Sequence, residues 1–272
     1  MSTQDRVGGS AAASSPVSHD DLIRDQFSRQ AGGFARAPEL HGDAQLKPLI
    51  DAARPLPHEA MIDLACGPGT VVAAFAPLVR RAVGVDATEA MLDEARRLAG
   101  QRQLDNVEWR TASAYALPFP DRSFDIVTCR FAFHHLQEPA RAFAEMMRVC
   151  RGGGRVVLCD GIAPADPEKA AAFNATERFR DPSTAAFLPL AALLDLFAQA
   201  GLSAPTVEPF QVAYAIEELV ATSFPVNDDR VTLRCMIEDL VATDTLEVGT
   251  KPGGTRFIFP VAVLSATKPP HA

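Results

Sequence analysis

The chain reads as an α/β protein built on a doubly wound, mostly parallel seven-stranded sheet with helices on both faces. Three observations predict it. Between about residues 60 and 160, short β-rich runs alternate with helical patterns; the first run ends in the glycine turn "DLACGPGT", and the second ends in the acid of "VGVD". Strand, helix and strand at this spacing make right-handed crossovers, and a glycine turn after the first strand opens onto the ligand crevice at the carboxyl edge of such a sheet.

The elements follow in order. "AMIDLA" is the first strand and leads to a helix near 70 to 77. "RRAVGVD" leads to a helix from Thr88 to about Ala99, with Met91, Leu92, Ala95 and Leu98 on one face. "VEWRTA", "FDIVTCRF" and "GRVVLCD" are the next three strands, and a helix over 138 to 149 separates the last two, with Phe143, Met146, Met147 and Val149 as its apolar side. Outside this core, residues 19 to 53 carry two helices with a Gly32-Gly33 break between them. Residues 166 to 179 and 190 to 200 are helical, the second ending at a Gly201 cap. "SAPTVEPFQVAYA" is extended, 227 to 242 form a helix behind an Asn227 cap, and "RFIFPVAVLSA" is a last strand in which Pro260 suggests an edge or a bulge.

Composition bounds the function. Among 272 residues, 26 Lys and Arg stand against 34 Asp and Glu, a net charge of -8, which argues against a broad nucleic-acid footprint and for a small-molecule partner. Cys66, Cys129, Cys150, Cys159 and Cys235 are odd in number and mostly inside apolar runs, as reduced core thiols of a cytoplasmic protein would be. No apolar run has the length of a membrane span, and residues 1 to 17 read as a disordered tail without a signal-peptide core. Residues 18 to 272 form one domain, with a cofactor core at about 55 to 160 and substrate or lid elements at about 18 to 54, 161 to 190 and 214 to 254. Oligomeric state is not legible.

Two ligands suit the glycine turn, a dinucleotide and S-adenosyl-L-methionine. Gly67 and Gly69 let a ligand approach the backbone, and Asp86 is placed to accept from a ribose diol in either case. A dinucleotide turn needs a third glycine for close helix packing, where this chain has Val72. Asp63 at the mouth of the turn would oppose a diphosphate and suits an ammonium and a sulfonium.

The motifs "DLACGPGT", "GVD", "ALPFPDRSFDIVTCRFAFHHL" and "MMRVCRGGGRVVLCDG" together resemble the class I S-adenosylmethionine-dependent methyltransferases, in particular the bacterial small-molecule branch with the ubiquinone/menaquinone C-methyltransferases. The resemblance covers roughly residues 20 to 210 and continues into "ERFRDPSTAAFLPL". It implies that Asp63, Ala65, Gly67 and Gly69 line the methionine part of the cofactor and that Asp86 holds the ribose. It also implies that Ala87 and Met91 face adenine, that Ser113 and Ala114 read its edge, and that Arg130 lies near the transferable methyl. Phe27, Ala31 and Phe34 resemble a helix that closes over the cofactor. Ala65 replaces a usual glycine, Ser113 a frequent aspartate and Gly152 a usual proline.

Methyl transfer requires an aligned nucleophile and exclusion of water, and a base helps where the acceptor is a phenol, a ring nitrogen or an enolizable carbon. His134 and His135 of "FAFHHLQEP" are the candidate bases and Asp160 faces the same region; the competing reading for each is a loop residue that shapes the pocket through backbone hydrogen bonds. Adjacent histidines without a spaced partner do not suggest a metal. Arg178, Arg180 and Arg256 could attract an anionic acceptor, and Phe173, Phe179 and Phe187 could wall a pocket for a cyclic one. The expected activity is methyl transfer to a carbon, oxygen or nitrogen of a small aromatic or cyclic metabolite. The alternatives are a nicotinamide-dependent oxidoreductase and a non-catalytic S-adenosylmethionine-binding protein.

Overall fold

The structure is a computed structural model that describes residues 18–34, 43–243, 245, 248–251 and 254–270. The strands are β1 (Ala60–Leu64), β2 (Arg81–Asp86), β3 (Val107–Thr111), β4 (Phe124–Arg130), β5 (Cys150–Ala163), β6 (Leu188–Pro189), β7 (Thr206–Ala215), β8 (Val248–Lys251) and β9 (Gly254–Thr267). Seven of them run across one sheet in the order β3-β2-β1-β4-β5-β9-β7, while the short β6 pairs with β5 and β8 with β9. Pairs among β1 to β5 are parallel, and β9 enters antiparallel between β5 and β7. The strand order reverses at β1, which puts the turn after β1 at the switch point where doubly wound sheets bind ligands.

Nine helices lie among the described residues: α1 (His19–Phe34), α2 (Asp43–Ala53), α3 (Thr70–Phe75), α4 (Glu89–Gln101), α5 (Pro139–Val149), α6 (Pro167–Arg180), α7 (Leu190–Gln199), α8 (Ile216–Thr222) and α9 (Arg230–Ala242). Neighbouring residues of each central strand feed opposite faces, as the period of two requires. Met61, Ile126 and Val157 join the layer with α2, α3, α6, α8 and α9, whereas Ile62, Val127 and Leu158 join the layer with α5 and α7. Both faces are dry, which is why these strands are nearly continuous apolar runs.

Trp109 sets the height of the glycine turn. It sits opposite Gly84 in the β2–β3 register, and a Cβ at Gly84 would lie 2.5 Å from the indole and 2.8 Å from Cys66 Sγ. A Cβ at Gly69, whose φ is 77°, would lie 2.5 Å from the same ring and 2.7 Å from Ala95 Cβ. Gly69 therefore serves the close packing of helix on strand, the duty that the sequence reading sought at Val72.

Several boundaries differ from expectation. Gly32 and Gly33 fall within the last turn of α1 rather than in a break, because the helix continues to Phe34. Asn227 does not cap α9; it has φ 55° in a short turn, and Asp229 caps instead by accepting from Thr232 N at 2.9 Å. Strand β9 is interior, but Pro260 lies one residue beyond Val261, where pairing with β5 stops, so its missing N–H leaves no gap in that ladder. Helix α2 packs on β5 and β9 and acts as core rather than lid. Gly201, with φ 72°, follows α7 as expected. The predicted tail over residues 1 to 17 lies outside the described residues.

Replacing Gly84 by Ala forces a methyl into the indole and should cost about 1–3 kcal/mol in chemical denaturation. Adding Trp109→Ala to that variant should cost less than the two single losses combined, since the clash disappears with the ring.

Candidate active site

A cavity of about 220 Å³ opens at the carboxyl ends of β1, β2 and β4. Asp63 of β1, Asp86 of β2 and Arg130 of β4 reach it from the sheet, the turn gives Ala65, Cys66, Gly67 and Pro68, and Ile23, Arg24 and Phe27 of α1 close it from above. Gly67 has φ 52°, and a Cβ there would meet nothing within 4 Å, so its glycine serves backbone conformation.

The electrostatics are unusual. Asp63 is 1% exposed, and burial pushes its carboxyl up to about 7, opposed in part by a 2.6 Å hydrogen bond from Thr128 Oγ1 and by Arg130, while Asp86 adds to the rise. Asp86 is raised by burial as well, against donation from Thr88 N at 2.9 Å and Gly67 N at 2.8 Å. That second bond ties the acid to the glycine turn, so the spacing that marks the motif in sequence is a physical link in the fold. Arg130 is buried, and its guanidinium carbon lies 4.2 Å from the centroid of the Phe131 ring. Phe131 has φ 53°, an unfavourable backbone conformation for an aromatic residue, in the turn where β4 ends at the cavity. Burial pushes the Cys66 thiol well above its ordinary range, which makes it a poor nucleophile.

Of the residues predicted for the cofactor, Asp63, Ala65, Gly67, Asp86, Ala87, Met91, Ser113, Ala114 and Arg130 line the cavity. Gly69 lies behind it against Trp109. Phe27 lines the cavity, whereas the side chains of Ala31 and Phe34 lie outside the described residues.

The two histidines part company. Both stand in a short 3-10 turn, Phe133–His135, but only His135 lines the cavity. His134 turns toward β5, where its ring Nδ1 is 2.7 Å from Asp160 Oδ1 and its backbone N–H donates to Asp160 Oδ2 at 3.0 Å. Its ring stacks on Phe187 at 4.1 Å and 10°, and its carbonyl accepts from Ala185 N and Ala186 N. His134 and Asp160 thus meet as a buried pair that fastens the 181–187 connection to the sheet, away from the cavity wall. His135 places Nδ1 at 3.1 Å from both Ser183 O and Ser183 Oγ, and Ser183 Oγ donates to Asp181 Oδ1 at 2.5 Å. Burial and the neighbouring His134 push His135 down to about 4.

Asp181 is held below the usual carboxylate range because His135, Arg180 and the Ser183 donors outweigh its burial. Helix α1 joins this cluster: His19 Nε2 is 2.7 Å from His135 O, Phe27 meets the His135 ring edge-on at 4.9 Å, and Gln30 Nε2 donates to Asp181 Oδ2 at 3.4 Å.

Ser183 and Asp181 were missed in sequence because they lie 48 and 46 residues from His135; the quoted "RDPSTAAF" was the available signal. Ile23 and Phe27, four apart on α1, both face the cavity, and of these the sequence reading named Phe27. Arg178 donates to Ala185 O and Arg180 forks onto Glu177, so both are engaged in the fold; the Arg256 side chain lies outside the described residues. Phe173 and Phe187 are core, and Phe179 packs at its margin. Among the described residues no three or more His, Cys, Asp or Glu gather as a metal site, and no helix is long and apolar enough to cross a membrane.

Residues 62–158, which run from β1 almost to the end of β5, match a protein family described as a methyltransferase domain. This segment is a methyltransferase domain. The chain is 39% identical over 157 residues, 58% of its length, to the uncharacterised methyltransferase YcgJ of Bacillus subtilis, and that match spans 62% of YcgJ. The crystal structure of YcgJ superposes with a TM-score of 0.73 at 29% identity, covering 82% of this chain and 97% of that one. A demethylmenaquinone methyltransferase of Clavibacter sepedonicus is 42% identical over 117 residues, 43% of this chain and 46% of the relative. A Bacillus halodurans protein assigned as a methyltransferase superposes with a TM-score of 0.76 at 28% identity, over 83% of this chain and 99% of that one. The fold is that of the class I methyltransferases. The methyltransferase domain contains the cofactor turn and both histidines; helix α1 and the 181–187 connection lie outside its matched range.

Asp63 supplies a sign test. A carboxyl raised on folding makes the folded state lose stability as pH climbs from the unfolded value of 3.8 toward about 7, after which the loss is complete. Asp63→Asn should remove that dependence and stabilise the protein above pH 7 on the order of 3 kcal/mol in urea melts. An unchanged slope between pH 4 and 7 would contradict the assignment.

Proposed function

We propose that this chain is an enzyme that uses S-adenosyl-L-methionine to methylate a carbon, oxygen or nitrogen of a small cyclic metabolite. The observation that carries the reading is the pair of buried carboxylates, Asp63 and Asp86, at a glycine turn whose backbone is open to a ligand. Asp63 and Asp86 set two carboxyls on the floor of the cavity, against Arg130 and the exposed Arg24 of α1, which suits a cofactor carrying an ammonium, a sulfonium and one carboxylate. A diphosphate would bring further negative charge against Asp63 and raise the cost of ionising it.

The residues present fit the cofactor. Asp63 and the turn would hold the methionine end, Asp86 the ribose diol, Ala87 and Met91 the adenine face, Ser113 and Ala114 its edge, and Arg130 would stand at the methyl end. When bound, the cofactor supplies an activated methyl group. The protein's work is to orient the acceptor beside Phe131 and His135 and to exclude water beneath α1. The relatives that include a demethylmenaquinone methyltransferase favour a ring acceptor.

Calorimetric titration should show saturable binding of S-adenosylmethionine and none of reduced nicotinamide dinucleotides. Asp86→Ala should weaken that binding at least ~10-fold, a loss of about 1.4 kcal/mol. Nicotinamide binding alone would overturn the proposal, and unaltered affinity in the variant would remove Asp86 from the site.

A further inference from the structure

The glycine turn lets a ligand come close, yet between Cys66 and Gly69 its backbone donors are already engaged. Cys66 N donates to Val85 O at 2.9 Å, Gly67 N to Asp86 Oδ2 at 2.8 Å and Gly69 N to Cys66 O at 3.0 Å, while Pro68 has no N–H. A phosphate loop holds its anion with backbone N–H groups aimed at the ligand, and this stretch spends its own on the fold. Helix α3, which follows, has six residues and few aligned dipoles to add. S-adenosylmethionine nevertheless brings one anion, the carboxylate of its methionine part, and covering that group without a partner would be costly. A charged side chain has to supply the partner.

Two arginines line the cavity, Arg130 from the sheet and Arg24 from α1. Arg130 is buried over the Phe131 ring, and Asp63 is near enough for each to shift the other's ionisation. A carboxylate laid on Arg130 would therefore come close to Asp63, the acid that suits the ammonium. Arg24 stands on the opposite wall. Its ion pair with Asp21 is 3.6 Å long and more than half exposed on both sides, so little is lost when the guanidinium leaves it. Asp21 then keeps its 2.7 Å hydrogen bond from Ser18 Oγ.

We propose that Arg24 binds the carboxylate of the cofactor's methionine part, so that the cofactor spans the cavity with its ammonium toward Asp63 and its carboxylate toward α1. The inference rests on the S-adenosylmethionine reading and adds to that cavity a binding residue from outside the matched methyltransferase domain. The planar fork of a guanidinium matches the two oxygens of a carboxylate, and the charge on both partners strengthens the bonds. Helix α1 already meets the far side of the cavity through His19 on His135 O and Gln30 on Asp181, and the bound carboxylate gives it a further tie between them.

The test is calorimetric titration of the full chain with S-adenosylhomocysteine and with decarboxylated S-adenosylhomocysteine, which keeps the amine. Wild type should prefer the carboxylate-bearing ligand. Arg24→Met should weaken S-adenosylhomocysteine about tenfold and the decarboxylated ligand less than about twofold, the difference isolating the pair of groups. Arg24 is exposed, so the urea midpoint of the variant should match wild type. Equal affinities for the two ligands in wild type, equal losses in the variant, or a preference that survives undiminished in Arg24→Met would each overturn the proposal. Failure of wild type to bind either ligand would instead sink the S-adenosylmethionine reading.

Discussion

The carboxyl end of the sheet is organised around Asp63, a carboxylate sealed from water with a single hydroxyl, Thr128, as its hydrogen-bonding side-chain partner and a buried arginine nearby. Such a group is costly to keep charged, and no core-forming role requires an acid at this position. The rest of the site follows from it. Asp86 stands close enough to raise it further and at the same time holds Gly67 N, so the turn, the two acids and the cavity form one unit. The fold carries this cost at the switch point of the sheet, where a cationic ligand would relieve it.

A second organising contact is the 3-10 turn Phe133–His135. His134 looks inward to Asp160 and Phe187, and His135 looks toward the cavity with Ser183 and Asp181 behind it. Through this turn the ends of β4 and β5, the 181–187 connection and the lid helix are fastened together. The matched methyltransferase domain supplies the floor and one wall of the cavity, and the segments beyond it supply the α1 residues that cover it and the Ser183 contact to His135.

Much of this was legible in the sequence because local chemistry set it. The strand ends, the glycine turn and the second acid are fixed by short-range patterns, and their spacing reflects the bond from Gly67 N to Asp86. The packing of Gly69 against Trp109 was not readable, because that ring is 40 residues away on an edge strand. The choice between His134 and His135 was not readable, since adjacent residues in a tight turn point in different directions and which one meets the cavity depends on a loop 48 residues downstream. Gly32 and Gly33 suggested a break, but tertiary packing of α1 over α4 and the cavity outweighed a weak local preference.

The cost of burying Asp63 is what a cationic cofactor would relieve. Calorimetry of S-adenosylmethionine binding at pH 7 in two buffers of different ionisation enthalpy counts the protons exchanged. Asp63 sits near half protonation there, at about 7, and the cofactor's positive charge favours its ionised form, so binding should release a fraction of a proton and tighten as pH rises through about 7. Zero release, or proton uptake, would contradict the claim.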